Sequence, residues 1–271
     1  MSVVKIAICG AAGRMGRRII ACAEAHPQIR VVGAVDVPGC PALGQDAGTL
    51  AVGHALGVAL TDDLAAALAP ADVVIDFALA DGLPARIRAY AEAGVAAVIG
   101  ATGAGIETVD TIGAAVECIP VIHAPNFSLG VNLLFALTRK AAQALDESYD
   151  IEIVEMHHRR KRDAPSGTAL CLVETVEAAR GYTAAQKRVH GRQGVVGERT
   201  AGEIGVHALR GGDVVGEHTV VFATEGERLE LTHKAGSRDT FAHGALKAAL
   251  YLHDRNPGFY TMADVLGLAL E

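Results

Sequence analysis

Short apolar runs alternate with longer alanine-rich segments from residue 1 to about residue 125. Val and Ile dominate the short runs, which favours β-strands, while the segments between them carry apolar residues at helical spacing. Alternation of this kind is typical of βα units, in which parallel strands form one sheet. The predicted strands are residues 3–9, 31–36, 73–77, 97–100 and 120–123, and the predicted helices include residues 14–25, 84–93 and 106–116.

The pattern changes in the second half of the chain. A helix is predicted from Gly130 to about Leu145, and a strand over residues 150–155 then enters the most polar stretch. Three later strand-like runs are separated by glycine-containing turns, which favours antiparallel pairing. These runs are residues 203–210, 215–223 and 228–235, the turns are Gly211-Gly212-Asp213 and Glu225-Gly226-Glu227, and a last helix is predicted over residues 240–252.

Together these patterns predict an α/β fold with two domains. The first is a Rossmann-like domain with a parallel sheet, predicted over residues 1–128. The second is an α+β domain with a mainly antiparallel sheet, predicted over residues 129–237. We expect the first domain to bind a dinucleotide.

Composition narrows the classes of function. With 271 residues, of which 51% are hydrophobic, the chain can bury a sizeable core, and its net charge of -7 disfavours a general nucleic-acid-binding protein. Five scattered cysteines suit neither a disulfide framework nor a four-ligand zinc site. The sequence has no recognisable leader and no uncharged apolar stretch of about 18 residues. We therefore expect a soluble, cytoplasmic protein that does not contact the membrane.

A glycine-rich motif follows the first predicted strand and opens the first predicted helix. Its sequence is Gly10-Ala11-Ala12-Gly13-Arg14-Met15-Gly16, and in this context backbone N–H groups can approach a pyrophosphate. Asp36 ends the second strand, 20 residues after Gly16 (36 − 16 = 20), where a carboxylate can accept hydrogen bonds from ribose hydroxyls. Strand, glycines, helix and spaced acid together favour a dinucleotide site over a simple strand-to-helix turn beside a solvated acid.

Asp36 also bears on the choice of nicotinamide cofactor. A 2′-phosphate would meet like charge there, and the next residue is Val37 rather than an arginine that could pair with that phosphate. We therefore predict that NADH is preferred over NADPH, with Arg14 or Arg17 as the cations that would allow NADPH to be used. Two later loops should lie at the same carboxyl edge of the sheet, Gly100-Ala101-Thr102-Gly103 and Ala124-Pro125-Asn126-Phe127.

Ionisable and hydroxyl side chains are concentrated between Glu155 and Ala169, in the sequence EMHHRRKRDAPSGTA. His157 and His158 can exchange protons near neutrality, and Lys161 can donate one if its pKa is lowered. The neighbouring arginines favour a ligand that carries carboxylates. The segment is therefore interpreted as an anion pocket that contains an acid.

The end of this segment has the composition of a helix start. Proline suits a first turn, and either Asp163 or Ser166 can cap the helix. The unpaired N–H groups of such a start, with the hydroxyls of Ser166 and Thr168, would form a cradle for one substrate carboxylate.

Three other interpretations fit the residues of this segment less well. A cluster of cations alone is more typical of a solvated loop, but here it adjoins the predicted carboxylate cradle. A nucleic-acid surface is disfavoured because no aromatic residue is interleaved to stack on bases. Adjacent strand residues point to opposite faces, so His157 and His158 should not chelate one ion unaided, and we predict no metal.

The segment resembles the signature of the dihydrodipicolinate reductase family, which has the pattern HHxxKxDAPSGTA. Similar matches occur in the glycine motif, in the two later loops and over residues 211–219 and 226–235, so the resemblance spans nearly the whole chain. One departure is Ala101, where many members have threonine in a GTTG loop, and this removes one expected hydroxyl contact.

The resemblance implies reduction of 4-hydroxy-tetrahydrodipicolinate, a small cyclic dicarboxylate, by NADH or NADPH to tetrahydrodipicolinate in diaminopimelate and lysine biosynthesis. It implies that His157 is the catalytic acid/base and Lys161 the proton donor. It also implies that the second domain binds the substrate and forms a homotetramer through its antiparallel sheet, and that residues 238–271 return to the first domain. The substrate contacts it implies are His158, Gly167 and Thr168, joined by Ser166 of the cradle, and the cofactor contacts are Gly10 to Gly16, Asp36, Gly100 to Thr102 and Ala124 to Phe127.

Two other functions stay open on the residues alone. One is a Rossmann reductase that acts on another oxo or imino dicarboxylate, since a cationic pocket does not name its substrate. The other is a regulatory sensor that binds NADH, and nucleic acid through residues 159–162, without turnover. The sensor predicts salt-sensitive binding to nucleic acid and no NADH oxidation.

Overall fold

The computed structural model describes residues 3–101, 105–182 and 188–268. These residues form two compact units, of which one contains residues 3–129 and 238–268 and the other residues 130–237. The strands are β1 (Val4–Cys9), β2 (Ile29–Val35), β3 (Leu60–Thr61), β4 (Val73–Asp76), β5 (Ala96–Ile99), β6 (Pro120–His123), β7 (Asp150–His157), β8 (Arg188–His190), β9 (Ile204–Arg210), β10 (Gly216–Thr224), β11 (Glu227–Ala235) and β12 (Gly258–Tyr260).

The helices are α1 (Arg14–Glu24), α2 (Ala47–Val52), α3 (Leu64–Leu68), α4 (Leu83–Ala93), α5 (Ile106–Ala115), α6 (Leu129–Ala144), α7 (Gly167–Arg180), α8 (Asp239–Leu252) and α9 (Met262–Leu266). Within the described ranges, no helix is both long and apolar enough to cross a membrane.

The first unit is built on a parallel sheet whose strand order is β12-β6-β5-β4-β1-β2-β3. Every described strand pair in this sheet is parallel. The chain proceeds from β1 through β2 to β3 on one side, and then returns to β4 on the other side of β1. This reversal creates a switch point between β1 and β4, and ligands of open parallel sheets bind outside the carboxyl ends of the strands at such a point.

Alternation along β1 explains why both faces of this sheet are covered. Ile6 and Ile8 point into a core shared with α1 and α8, whereas Ala7 and Cys9 point into a core shared with α4 and α5. A central strand with two apolar faces requires helices on both sides.

The C-terminal segment completes the first unit. Arg18 of α1 pairs with Asp239 of α8 through a two-pronged contact of 2.6 and 2.7 Å. Gly244 brings α8 against the loop after β6, because a Cβ at this position would lie 1.7 Å from the carbonyl oxygen of Phe127. A glycine is therefore required where the helix crosses this loop.

The second unit contains a mixed sheet with the strand order β11-β10-β7-β9-β8. β10 is antiparallel to β7 and β11, whereas β9 is parallel to β7 and β8. Alternate side chains of the sheet, among them Ile153 and Phe222, point from one face into a core with α6 and α7, where Leu172 of α7 is also buried. The hairpin between β10 and β11 turns at Glu225 and Gly226. Gly226 has φ of 87°, a positive value that tight hairpin turns require and that glycine adopts readily.

The predicted fold class is confirmed, but one predicted pairing is wrong. The turn at Gly211-Gly212-Asp213 was expected to join β9 and β10 as antiparallel neighbours, whereas β7 lies between them. Another detail also differs. Pro165 precedes the helix cap instead of occupying the first turn, because α7 begins at Gly167 and Ser166 is its N-cap.

Candidate active site

The glycine motif forms a turn whose shape depends on glycine at two positions. Gly10 has φ of 77°, a conformation that other residues rarely adopt. A Cβ at Gly16 would lie 2.2 Å from the carbonyl oxygen of Gly10, so only glycine lets α1 start this close to the end of β1. Gly13 is the N-cap and provides no side-chain acceptor for the N–H groups of the first turn. This arrangement suits a bound pyrophosphate.

Asp36 lies beside this turn, directly after β2. Its Oδ2 accepts a hydrogen bond of 2.8 Å from the N–H of Ala12, and its Oδ1 accepts one of 2.9 Å from the N–H of Val37. Each carboxylate oxygen has a further lone pair, and the side chain is only half-buried. The position therefore fits the predicted contact with ribose hydroxyls.

The two later loops lie at the same carboxyl edge, after β5 and β6. The Phe77 ring lies between them, since its centroid is 5.5 Å from that of Phe127 and its Cζ would lie 2.5 Å from a Cβ on Gly100. Ala101 and Ala124 are buried, and Pro125 is exposed. Thr102, a predicted cofactor contact, lies outside the described residues.

Asn126 and the helix residues of the glycine motif complete the predicted cofactor group. The side-chain oxygen of Asn126 accepts a hydrogen bond of 2.8 Å from the N–H of Ser128, which fixes this loop. Arg14 and Arg17 are exposed on α1, and Met15 packs against the core. The described members of the group thus gather around the switch point of the first unit.

A second group of polar residues lies at the end of β7 in the other unit. Glu155 is fully buried, and its carboxylate accepts two hydrogen bonds of 2.8 Å from the guanidinium of Arg210 on β9. It accepts a third, of 3.0 Å, from the N–H of Ser166. The Nδ1 of His157 lies 2.7 Å from its Oε2. Burial raises the pKa of Glu155, but the hydrogen bonds from Arg210 and His157 outweigh it and leave the pKa below its ordinary value.

His157 is held between this carboxylate and β10. Its ring packs edge-on against His218 with 5.2 Å between centroids, and a Cβ at Gly216 would lie 3.0 Å from its Nε2. Burial lowers the pKa of His157, and the charges of Lys161 and Arg210 act in the same direction, while Glu155 opposes them. The net pKa lies below its ordinary value, so the imidazole is mainly neutral near pH 7.

His218 extends the group to the start of α7. Its Nε2 lies 3.0 Å from the hydroxyl of Ser166, and its side chain is buried. Burial lowers the pKa of His218 to about 4, and the neighbouring His157 contributes further. His218 therefore remains neutral at physiological pH.

The predicted carboxylate cradle is formed by the first turn of α7. Ser166 caps the helix by accepting a hydrogen bond of 3.2 Å from the N–H of Ala169, so Ser166 rather than Asp163 has this role. Gly167 is exposed and Thr168 is half-buried at the helix start. The N-terminus of this 14-residue helix, with its partial positive charge, suits an anion.

Lys161 and His158 lie in the loop between β7 and α7. The ammonium of Lys161 is 2.8 Å from the carboxylate of Asp163, and its side chain is 19% exposed, so solvent or a ligand can reach it. The Nδ1 of His158 is buried and has no hydrogen-bond partner among the described residues. The predicted catalytic and substrate residues are therefore brought together within the second unit.

Sequence reasoning did not assign roles to Glu155, Arg210 or His218. Arg210 and His218 lie 55 and 52 positions from the residues they contact, so no local pattern connects them. A signal for Glu155 was present, because it continues the inward-facing series Ile151 and Ile153 along β7. Across the described parts of the chain, no group of three or more His, Cys, Asp or Glu residues is arranged to hold a metal ion.

Both halves of the chain match one family. Residues 4–127 match the family described as "Dihydrodipicolinate reductase, N-terminus", and residues 130–266 match "Dihydrodipicolinate reductase, C-terminus". The chain belongs to the dihydrodipicolinate reductase family. This membership confirms the resemblance inferred from the HHxxKxDAPSGTA pattern.

Individual relatives agree with the family. The chain is 52% identical over 266 residues to the 4-hydroxy-tetrahydrodipicolinate reductase of Anaeromyxobacter dehalogenans strain 2CP-1, with 98% of each chain covered. It is 49% identical to the enzyme of that name from Rhodopseudomonas palustris strain BisB18, with 99% of each covered. A dipicolinate-bound dihydrodipicolinate reductase from Paenisporosarcina sp. TG-14 has the same fold, with a TM-score of 0.75 at 21% identity over 97% of this chain and 98% of that one.

The buried neutral state of His218 predicts a pH dependence of stability. Its pKa is about 4 in the folded protein and 6.5 when unperturbed, so the unfolded chain binds the extra proton between these values. Stability should be fully present above about pH 6.5 and fall on acidification, with a loss from this residue of about 2 kcal/mol between pH 8 and pH 5. Urea unfolding at the two pH values measures it.

The His218→Gln variant should lose this share of the pH dependence, whatever its stability at pH 8. The matched control is His54→Gln, because the His54 side chain is 59% exposed. An unchanged pH dependence in His218→Gln would show that this histidine is not held neutral by burial.

Proposed function

We propose that the chain catalyses NAD(P)H-dependent reduction of 4-hydroxy-tetrahydrodipicolinate to tetrahydrodipicolinate, a step towards diaminopimelate and lysine. The main observation behind this proposal is that a group able to exchange protons lies beside a helix N-terminus suited to an anion. His157 contacts the buried carboxylate of Glu155, and the same carboxylate accepts a hydrogen bond from Ser166, the N-cap of α7. Membership of the reductase family favours this activity over a sensor without turnover. It also favours this substrate over other oxo or imino dicarboxylates.

The two units have separate roles in this proposal. The first, predicted as residues 1–128 with residues 238–271, binds the dinucleotide, and the second, predicted as residues 129–237, binds the substrate. One substrate carboxylate is held at Gly167 and Thr168 by the N–H groups of the first turn of α7, with Ser166 in support. His158 contacts the substrate through its ring.

Lys161 and His157 are assigned the proton chemistry. Reduction of the conjugated imine leaves negative charge that a proton must neutralise. Lys161, partly exposed beside Asp163, is a cationic donor, and His157 exchanges protons through Nε2, the ring nitrogen that Glu155 does not contact. No metal is required in this scheme.

The cofactor site is assigned to the switch point of the first unit. Gly10 to Gly16 bind the pyrophosphate, Asp36 binds the adenosine ribose, and the loops after β5 and β6 hold the nicotinamide end near Asn126. When bound, the reduced nicotinamide supplies the hydride. The close approach of α1 at Gly16 and the lack of a capping side chain at Gly13 support this assignment.

The experiment that tests the activity is the loss of NADH absorbance when the purified protein meets freshly condensed pyruvate and aspartate semialdehyde. Substrate-dependent oxidation is expected for the natural chain. Lys161→Ala should lower kcat by about 10² to 10⁴, because the proton donor is lost. Lys140→Ala, an exposed lysine on α6, is the matched control and should leave kcat unchanged.

Absence of oxidation, in protein that is folded and binds NADH, would contradict the proposed reaction and favour another substrate or the sensor. An unchanged kcat in Lys161→Ala would remove that lysine from proton donation while leaving the reaction itself in place.

A preference for NADH over NADPH is proposed from Asp36. Two like charges a few Å apart repel by about 1 to 4 kcal/mol, so kcat/KM should be higher with NADH and Asp36→Ala should raise the NADPH:NADH ratio about fivefold or more. Asp62→Ala, an exposed acid next to β3, is the matched control for overall charge. Equal or better kcat/KM with NADPH in the natural chain would contradict the preference and implicate Arg14 or Arg17.

A homotetramer formed through the sheet of the second unit is also proposed. The face of this sheet opposite α7 presents the half-buried side chains of Val154, Thr219 and Val221, which is the character of a surface that a second copy covers. Five free cysteines suit the reducing cytoplasm, to which we assign the protein.

Sedimentation analysis should give a mass four times the 28.0 kDa of one chain. Val154→Asp should shift the protein to smaller species, because it adds an unpaired charge at a half-buried apolar position of this face. Val109→Asp, at a 63% exposed position on α5, is the control and should remain tetrameric. A monomer at micromolar concentration in the natural chain would contradict the proposal.

A further inference from the structure

Glu155 has an environment that packing alone does not require. Its carboxylate is fully buried and receives hydrogen bonds from three different elements: Arg210 on β9, the backbone of Ser166 before α7, and His157 two residues along its own strand. Burying a carboxylate is unfavourable unless hydrogen bonds or an ion pair replace the water that it loses. A hydrophobic residue of similar volume at this inward-facing position of β7 would avoid that cost.

The ionised state of Glu155 determines which nitrogen of His157 carries the proton. A carboxylate can only accept hydrogen bonds, so the Nδ1 at 2.7 Å from Oε2 must be the donor. The neutral ring then has its lone pair on Nε2. Gly216 leaves the space around that atom, because a Cβ there would lie only 3.0 Å from it.

The same carboxylate also connects His157 to the carboxylate cradle. Its Oε1 accepts from the N–H of Ser166, the residue that caps α7, while its Oε2 contacts His157. Arg210 bonds to both oxygens and also donates a hydrogen bond of 2.7 Å to the carbonyl of Asp163. One ion pair therefore holds the acid/base residue, the helix cap and the loop that contains Lys161.

We propose that Glu155, held by Arg210, is the positioning residue of this site: it fixes the Nδ1–H tautomer of His157 and sets the distance between His157 and the carboxylate cradle at the start of α7. The proposal rests on the acid/base role assigned above to His157. Glu155 itself does not contact the substrate and is not a catalytic residue.

Charged and titratable groups face His157 from three strands and one loop. Glu155 lies on the same strand, Arg210 on β9, Lys161 in the following loop and His218 on β10. Burial lowers the pKa of His157, and Glu155 is the group that raises it. Loss of the Glu155 charge should therefore lower the pKa of His157 further, since Lys161 and Arg210 would then act unopposed.

The test is Glu155→Gln, which keeps the volume but replaces one acceptor with a donor. The matched control is Glu177→Gln, because Glu177 also forms a two-pronged pair with an arginine, Arg188, at 2.7 Å for both contacts. The first readout is the ¹⁵N spectrum of the histidine rings without substrate, in which His157 is assigned by its absence from His157→Gln.

In the natural protein, neutral His157 should carry its proton on Nδ1. Glu155→Gln should shift this population towards Nε2–H, lower kcat by about 10², and move the pH limb that reports His157 to lower pH. Glu155→Asp, which keeps the charge, should restore the Nδ1–H tautomer and part of kcat. Glu177→Gln should alter stability and leave the tautomer and the pH profile unchanged.

Three outcomes would overturn the proposal. An Nε2–H tautomer in the natural protein would do so without any variant, even if Glu155→Gln failed to fold. A folded Glu155→Gln variant that keeps the natural tautomer would also overturn it. The third outcome is a Glu155→Gln variant whose kcat falls while its pH limb stays in place, because a purely structural residue would give that result. The tautomer is measured without turnover, so its result is separate from failure of the proposed reaction.

Discussion

The buried ion pair between Glu155 and Arg210 is the interaction on which the candidate active site depends. It joins the ends of β7 and β9, whose paired residues are 55 positions apart in sequence, to the cap of α7. A carboxylate removed from water must find donors for its lone pairs, and here a guanidinium, a backbone N–H and an imidazole supply them. None of these elements can shift without leaving a buried charge unsatisfied, so the pair constrains the position of each.

This constraint resolves a conflict within the pocket. Recognition of a dicarboxylate calls for cations and a helix N-terminus, but positive charge also makes it harder to protonate a nearby imidazole. The pKa values of His157 and His218 are both lowered, mainly by burial. The charge of Glu155 raises the pKa of His157 and so opposes this effect. An anion-binding pocket can thus retain a histidine able to exchange protons near neutrality because a single carboxylate faces it.

The local pattern of apolar and polar residues was sufficient to predict most of the fold. Apart from α7, of which only the start was predicted, apolar periodicity gave the bounds of the long elements to within two residues, since each buries one regular face. It missed the short elements β3, β8, β12, α2, α3 and α9, which have two to six residues and too little length to show a period. It also misassigned the neighbours of β9, because a turn sequence reports that the chain reverses, and not that β7 is inserted between the two strands.

The residues of the candidate site also fall into two groups, those that local sequence predicts and those that only the fold brings together. His157, Lys161 and Ser166 were predicted because they lie in one short segment, whereas Arg210 and His218 reach it only through strand pairing. Glu155 lies between these two cases, because the sequence shows that it follows Ile151 and Ile153 on the side of β7 that faces the core. A carboxylate on the buried phase of a strand must find cationic or N–H partners, and two residues away stands a histidine that needs an acceptor. That pairing follows from the sequence and elementary electrostatics, while the identity of the arginine that completes it requires the fold.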